Sequence, residues 1–175
     1  MAKLYVISDV HGYFDEMISA LNEAGFDSND ENSWLIVCGD TTDRGPKPKE
    51  VIDYLNSLTR CVLIKGNHEQ LLMDCIERQY PLRHDWSNGT AQTIIDLAPH
   101  AKTFEEACMV AYEIMKPFVD KMVNYFESER FVFCHGFCQS IVTMICRHII
   151  GTIESFLKWK IGEMHIKVSG MMQCG

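Results

Sequence analysis

The sequence predicts an α/β fold in which a parallel sheet carries helices on its faces, and two observations support it. Residues 3–8, 34–38 and 61–64 are short apolar segments typical of strands, and each runs into a polar loop followed by helical spacing of apolar residues. Successive strand-loop-helix units favour parallel pairing, because a crossover helix returns the chain to the same edge of the sheet. The 175 residues, 47% of them hydrophobic, suit one domain with a genuine core.

The remaining elements follow from local patterns. Gly25 is expected to end the first helix as a left-handed cap, and Thr103 with Glu106 forms a plausible capping box for the last helix. Residues 79–87 are predicted to be irregular, and residues 130–134 to form a fourth strand that ends at His135-Gly136. Helical spacing predicts helices at residues 13–24, 50–58, 70–78, 88–97 and 103–126.

Composition limits the classes of function. The formal net charge is −8, so the net field would repel a nucleic-acid backbone. No segment approaches the roughly 18 consecutive apolar residues of a membrane helix, and residues 1–7 do not resemble a signal peptide. The eight cysteines form no C-x-x-C pair, which favours reduced thiols. We therefore expect a cytoplasmic protein without nucleic-acid or membrane partners; the oligomeric state is not predicted.

Ligand-type residues follow every predicted strand. Asp9 and His11 follow the first strand, and their i, i+2 spacing would place both side chains on one side of an extended segment. The second strand leads into residues 39–45, where two carboxylates and an arginine stand between glycines. Residues 67–69, Asn-His-Glu, follow the third strand. Each loop alone has an ordinary explanation: a turn, a surface ion pair, or a helix cap with a solvated first turn.

All the loops together are harder to explain in that way. The carboxyl ends of parallel strands gather at one edge of a sheet, where ligands bind. Carboxylates, imidazoles and an amide oxygen at a shared edge indicate two divalent cations, about 3.5–4 Å apart with a bridging carboxylate. We expect manganese, with iron or zinc as alternatives, because mixed nitrogen and oxygen ligands suit these ions better than calcium.

The same segments resemble the calcineurin-like metallophosphoesterases, and in particular their small bacterial and phage serine/threonine protein phosphatases. The resemblance covers about residues 1–137 and includes a similar intervening segment at residues 86–93. It implies an α/β/β/α two-sheet sandwich. It rests on four ordered signatures, which read Ser-Asp-Val-His-Gly at 8–12, Gly-Asp-Thr-Thr-Asp-Arg-Gly at 39–45, Gly-Asn-His-Glu at 66–69 and His-Gly at 135–136.

The resemblance also implies a role for each residue. Asp9, His11 and Asp40 would hold the first metal, with Asp40 bridging to a second metal held by Asn67 and His135. His68 would protonate the leaving group, Asp43 would orient His68, and Arg44 would bind the phosphate oxygens. These roles are physically reasonable, since a positioned imidazolium assists a poor leaving group and the guanidinium fork fits phosphate.

Three functions remain open at this stage. The first is hydrolysis of phosphoserine or phosphothreonine in a phosphoprotein or phosphopeptide. The second is the symmetrical dinucleoside polyphosphate hydrolase, whose signatures are similar but usually lack an acid at the position of Asp43 and have aspartate at that of Glu69. These two positions favour the phosphatase. The third is a catalytically weak or inactive remnant that retains metal or phospho-ligand binding.

The C-terminal part departs from the resemblance. The family continues with further strands, a second arginine and a Gly-His signature, none of which is recognisable after Gly136. We therefore expect residues 1–136 to form an incomplete sandwich lacking its C-terminal strands, with a second metal site short of a ligand. Residues 137–175 are expected to be an atypical tail, either a frameshift or early-stop product or an amphipathic helix at 140–157. His148 and His165 are not assigned to the metal.

Overall fold

The computed structural model describes residues 3–128 and 130–136. Within them, strands and helices alternate through the first half of the chain, as the sequence predicts. In chain order the elements are β1 (Lys3–Ser8), α1 (Phe14–Ala24), β2 (Ser33–Cys38), α2 (Pro48–Ser57), β3 (Cys61–Ile64), α3 (Asn67–Arg78), α4 (Arg83–Asn88), α5 (Thr90–Leu97), α6 (Phe104–Val119), β4 (Tyr125–Glu127) and β5 (Val132–Cys134).

The first three strands form a parallel sheet in the order β1-β2-β3. Their register pairs Ser8 with Cys38, and Cys38 in turn with Ile64. The three strands therefore end at the same level, and the loops that follow them leave the sheet along one edge. Parallel pairing and the shared edge are both confirmed.

The sheet separates two hydrophobic clusters by strict alternation of side chains. Leu35 and Val37 of β2 are fully buried on the side of the helices, where they pack with Met17, Leu55 and Phe118 among others. On the opposite face, Ile36, Cys38 and Ile64 form a smaller cluster. A one-residue slip would exchange the two faces, so the apolar pattern on both sides fixes the register.

A second sheet covers part of that opposite face. It consists of β4 and β5, which pair antiparallel, and its Phe126 and Phe133 stack with ring centroids 6.1 Å apart. Both rings pack against the smaller cluster. The predicted strand near residues 130–134 is thus present as β5, in a second layer, and the predicted α/β two-sheet arrangement is confirmed. The predicted tail, residues 137–175, lies outside the described residues, and the division at residue 136 stays a prediction.

Two helix predictions were wrong. Residues 79–87 were expected to be irregular, but α4 begins at Arg83, where the Asp85 carboxylate accepts the Leu82 N–H at 2.6 Å. Helix α6 ends at Val119 rather than at 126, because the backbone of Val123 adds to the edge of β3. The Val123 N–H donates to the Leu63 carbonyl at 2.9 Å and its carbonyl accepts from Lys65 at 2.8 Å. Hydrogen bonds to the sheet edge replace those of a longer helix.

Two other helix ends agree with their sequence signals, whereas α3 begins at Asn67 and not at the predicted residue 70. Gly25 takes a left-handed φ of 78° after α1, and the Thr103 hydroxyl accepts the Glu106 N–H at 3.2 Å at the start of α6. The cysteines among the described residues are free thiols. Within residues 3–128 and 130–136, no helix combines the length and the apolar character that a bilayer crossing requires.

Candidate metal centre

All eight predicted site residues meet at the shared sheet edge. The loop after β1 supplies Asp9 and His11, the loop after β2 supplies three residues, and helix α3 supplies two from its first turn. His135 follows β5 and reaches the same place from the second sheet, where its Nδ1 lies 2.9 Å from the Cys38 carbonyl at the end of β2. The loop after β2 contributes Asp40, Asp43 and Arg44. The first turn of α3 contributes Asn67 and His68.

The first group of donors is buried. His11, Asp40 and His68 place one ligand atom each within 4.8 Å of one another, and each is less than 8% exposed. The Asp40 Oδ2 lies 3.9 Å from the Nε2 of both histidines. The two imidazole rings meet edge to face, with centroids 4.7 Å apart. One carboxylate oxygen thus faces two imidazole nitrogens in a buried pocket.

The second group is more open and uses the other oxygen of the same carboxylate. Asp9, Asp40 and His135 also have ligand atoms within 4.8 Å of one another. The His135 Nε2 lies 3.3 Å from the Asp40 Oδ1 and 3.1 Å from the Asn67 Oδ1. Asp40 therefore joins the two groups. The distances place His11 with His68 and Asp9 with His135, whereas the resemblance implied a first metal held by Asp9 and His11; the ligand assignment stays a prediction.

Hydrogen bonds to backbone carbonyls fix the tautomers of two histidines. The Nδ1 of His11 lies 3.0 Å from the Thr42 carbonyl. Because a carbonyl can only accept, Nδ1 of His11 carries the proton, and the same holds for His135 against Cys38. Each Nε2 therefore presents a lone pair to the pocket. Burial lowers the pKa of His11, with the charge of Arg44 and the proximity of His68 acting in the same direction, so the neutral form that binds metal is favoured.

His68 is held in a different way. Its Nδ1 donates to the Asp43 Oδ2 at 2.7 Å, and the Thr90 hydroxyl donates to the same oxygen at 2.6 Å. Burial alone would lower the pKa of His68, but the hydrogen bond to Asp43 and the charge of Asp40 outweigh it, and the pKa is raised. Two imidazoles a few ångströms apart thus have their pKa values pushed in opposite directions, which is an arrangement typical of acid-base sites.

Arg44 spans the two imidazoles from the solvent side. One guanidinium nitrogen lies 3.0 Å from the His11 Nε2 and the other lies 3.2 Å from the His68 Nε2. The residue is exposed while its neighbours in the loop are buried. A planar cation at the mouth of a pocket lined by carboxylates is suited to bind a phosphate group.

The loops adopt a strained backbone. Six described residues other than glycine have positive φ, and five of them belong to the site: Asp9, His11, Asp40, Asp43 and Arg44. Such conformations cost about 1–3 kcal/mol each and persist only where surrounding contacts require them. Those contacts run between loops, since the His11 N–H donates to the Asp40 carbonyl at 2.9 Å and the Gly45 N–H donates to the His11 carbonyl at 2.7 Å.

Glu69 is a site residue whose contacts the sequence did not predict. A solvated first turn of α3 was one explanation for this residue, and it is wrong, because Glu69 is fully buried. Its Oε2 accepts the N–H of Asp40 at 3.1 Å and of Gly66 at 2.7 Å, and its Oε1 accepts the N–H and hydroxyl of Thr41 at 2.7 and 2.8 Å. Glu69 therefore connects the second and third loops. The only sequence feature that could have indicated these contacts is that Glu69 lies three residues after Gly66.

The donor set fits divalent cations. Carboxylate oxygens, imidazole nitrogens of fixed tautomer and an amide oxygen converge on one pocket, and a single carboxylate serves both donor groups. This chemistry suits first-row divalent ions.

Comparison with known proteins identifies curated relatives of this chain. The symmetrical bis(5'-nucleosyl)-tetraphosphatase of Citrobacter koseri is 43% identical over 70 residues, which are 39% of this chain and 24% of that protein. The enzyme of the same name from Proteus mirabilis is 40% identical over 70 residues, 39% of this chain and 25% of that protein. The matched segment thus spans about a quarter of the length of these curated relatives.

The fold has counterparts among solved structures. A cold-active protein tyrosine phosphatase superposes with a TM-score of 0.54 at 20% identity, covering 85% of this chain and 47% of that one. At this identity the likeness concerns the fold alone. The family model described as calcineurin-like phosphoesterase matches residues 2–154, which is most of the sequence. The chain belongs to the calcineurin-like phosphoesterase family.

Proposed function

We propose that this chain hydrolyses phosphate esters in a metal-dependent reaction at the pocket around Asp40. The observation that carries the proposal is the shared carboxylate: the Oδ2 faces the neutral His11, and the Oδ1 faces His135, while His68 keeps its Nε2 for proton transfer. A carboxylate between two donor groups is what a pair of divalent ions requires. Bound there, the ions would supply Lewis acidity and an activated water.

The protein's own groups account for the other needs of the reaction. Arg44, at the mouth of the pocket, would bind the phosphate oxygens and orient the ester. His68 in its protonated form would donate a proton from Nε2 to the leaving oxygen, while Asp43 holds Nδ1 and stabilises the imidazolium. The buried walls around His11 and Asp40 exclude bulk water, so each of these interactions acts at reduced dielectric.

Dinucleoside polyphosphates are the first candidate substrate class. The curated relatives that match this chain are named symmetrical bis(5'-nucleosyl)-tetraphosphatases, and the identity with them reaches 43%. This favours the alternative raised by the sequence over its first choice. Such a substrate would present a row of phosphates to Arg44 and the metal-binding carboxylates. Its leaving group would be a weakly basic phosphate.

Phosphoserine or phosphothreonine in a protein is the second candidate, and one observation favours it. His68 is held by a buried carboxylate at 2.7 Å, and that carboxylate is itself held by Thr90. An alkoxide is a poor leaving group and gains much from a positioned acid, whereas a departing phosphate gains little. Hydrolysis of an alkyl ester therefore needs the Asp43-His68 pair more than hydrolysis of a tetraphosphate does.

A substrate panel separates these candidates. The purified chain, with manganese added, would be assayed on diadenosine tetraphosphate, a phosphoserine peptide and an aryl phosphate, beside His68→Ala. His100→Ala, an exposed histidine away from the pocket, is the matched control. We expect metal-dependent release of nucleoside diphosphate as the main activity, with full activity retained in the His100 variant.

Each other outcome has a definite meaning. Preference for the phosphopeptide would make the second candidate the function. No metal-dependent turnover of any substrate, in folded protein, would refute catalysis; heat of manganese binding in the same sample would then support a binding remnant. Equal turnover by the His68 variant on every substrate would remove His68 from the mechanism.

A further inference from the structure

The junction between α4 and α5 contacts the loop that carries Asp43 and Arg44. Thr90, the first residue of α5, is fully buried, and its hydroxyl donates to the Asp43 Oδ2 at 2.6 Å. A hydroxyl at a helix start commonly caps the helix, but α5 has no side-chain cap. The hydroxyl of Thr90 is directed at the site instead.

Both donors to Asp43 converge on one oxygen. Oδ2 accepts from Thr90 and from the His68 Nδ1–H, while Oδ1 is buried and has no hydrogen-bond partner among residues 3–128 and 130–136. A partial rotation of the carboxylate about its Cβ–Cγ bond would tilt the imidazole that is hydrogen-bonded to it. The short bond from the Thr90 hydroxyl opposes that rotation.

The backbone of the junction supports the same loop. Asp43 and Arg44 are consecutive residues with φ of 71° and 65°, a pair of strained conformations that needs outside contacts. Gly89, with φ of 86°, packs directly on Arg44: a Cβ atom at Gly89 would lie 2.5 Å from the Arg44 nitrogen and 3.0 Å from its Cα. Close backbone approach of this kind admits only glycine.

We propose that Thr90 is a positioning residue for phosphoester hydrolysis, acting through Asp43 on His68, and that Gly89 fixes the adjoining backbone of Arg44. The inference rests on the proposed function. It adds Thr90, which belongs to neither of the two groups of candidate metal ligands. Thr90 touches no reacting atom; it holds the carboxylate that aims the acid. Removing an orienting group of this kind lowers activity by about 10–100-fold.

A leaving-group series tests the positioning role. Thr90→Val keeps the volume and removes the donor, Thr90→Ser restores the donor, and Thr93→Val changes a second buried threonine of the same helix. Turnover of an alkyl phosphate should fall about 10–100-fold in Thr90→Val, and that of a dinitrophenyl phosphate by less than about threefold, because an acid assists poor leaving groups most. Thr90→Ser should recover the alkyl ester rate, and Thr93→Val should keep both rates. An equal loss on both esters would show that Thr90 serves stability only.

A second measurement does not depend on turnover. The Nδ1–H of His68, hydrogen-bonded at 2.7 Å in a buried site, should give a downfield proton resonance, assigned by its absence in His68→Ala. We expect it to broaden by faster exchange in Thr90→Val and to persist in Thr90→Ser. An unchanged resonance in Thr90→Val would overturn the inference. A wild-type chain without turnover would refute the proposed function, and the resonance would still decide whether Thr90 positions the pair.

Discussion

Replacing Glu69 with glutamine should destabilise the protein although the two side chains have the same shape. Four hydrogen-bond donors from two loops converge on this carboxylate: Oε2 accepts two backbone N–H groups, and Oε1 accepts one N–H and the Thr41 hydroxyl. Glutamine has one acceptor and one NH₂ group. Whichever way its amide turns, the NH₂ group meets at least one buried N–H.

The magnitude follows from the better of the two orientations. With its NH₂ on the Oε1 side, the glutamine amide faces the Thr41 hydroxyl, which can reverse and accept, and the Thr41 N–H, which cannot. One buried donor without an acceptor costs about 1–3 kcal/mol, so we expect about 2 kcal/mol for Glu69→Gln. Glu69→Ala removes all four bonds and should cost at least about 4 kcal/mol, the low end of 1–3 kcal/mol for each donor and a large share of the roughly 5–15 kcal/mol that holds a domain together.

Urea denaturation followed by circular dichroism measures this difference as a shift in the midpoint at constant slope. Glu77→Gln is the matched control, because Glu77 is an exposed residue of the same helix, and its free energy of unfolding should stay within about 0.5 kcal/mol of wild type. If Glu69→Gln is as stable as the control, the buried carboxylate does not hold the loops in the way that its contacts indicate.

Two further predictions concern the metal and the loop contacts. Manganese at about 100 times its dissociation constant should add about 2.7 kcal/mol to the stability of the native state and raise the melting temperature by about 5–10 °C. Asp40→Asn should abolish this rise. Asp30→Asn, which changes an exposed ion pair with a lysine, should keep it. Gly45→Ala should cost about 3 kcal/mol, because its Cβ would lie 2.3 Å from the His11 carbonyl oxygen, whereas Gly25→Ala meets no atom within 4 Å and should cost only about 1 kcal/mol for its positive φ. Equal melting shifts in both aspartate variants, or equal unfolding free energies in both alanine variants, would contradict these expectations.

The parallel sheet was predictable because its central strand, β2, is buried on both faces. Residues 35–38 form an unbroken apolar run, and such runs followed by loops and helices admit few topologies. The end of α6 was not predictable in the same way. Its apolar spacing continues toward residue 126, but the hydrogen bonds of Val123 to the edge of β3 form only in the tertiary structure.

The same distinction between local patterns and tertiary contacts applies to the candidate site. The proximity of Asp9, Asp40 and His135 could be predicted from the sequence because each follows a strand, and strand ends meet at one edge. The contacts of Glu69 and Thr90 were not predicted, because they join residues that lie 28 and 47 positions apart in the chain. No local pattern distinguishes a glutamate that binds another loop from one that faces water.

The pocket concentrates features that individually oppose folding, and this has a consequence for metal binding. Asp40, Asp43 and Glu69 are carboxylates at most 4% exposed, beside five residues with strained backbone. Hydrogen bonds between loops offset part of this cost, but they place negative charge in a buried pocket, and Arg44 lies on its solvent side. A divalent cation stabilises such a pocket more than it would a solvated cluster, since the carboxylates have already lost their water. The same desolvation that lowers the stability of the protein should therefore raise its affinity for the ions.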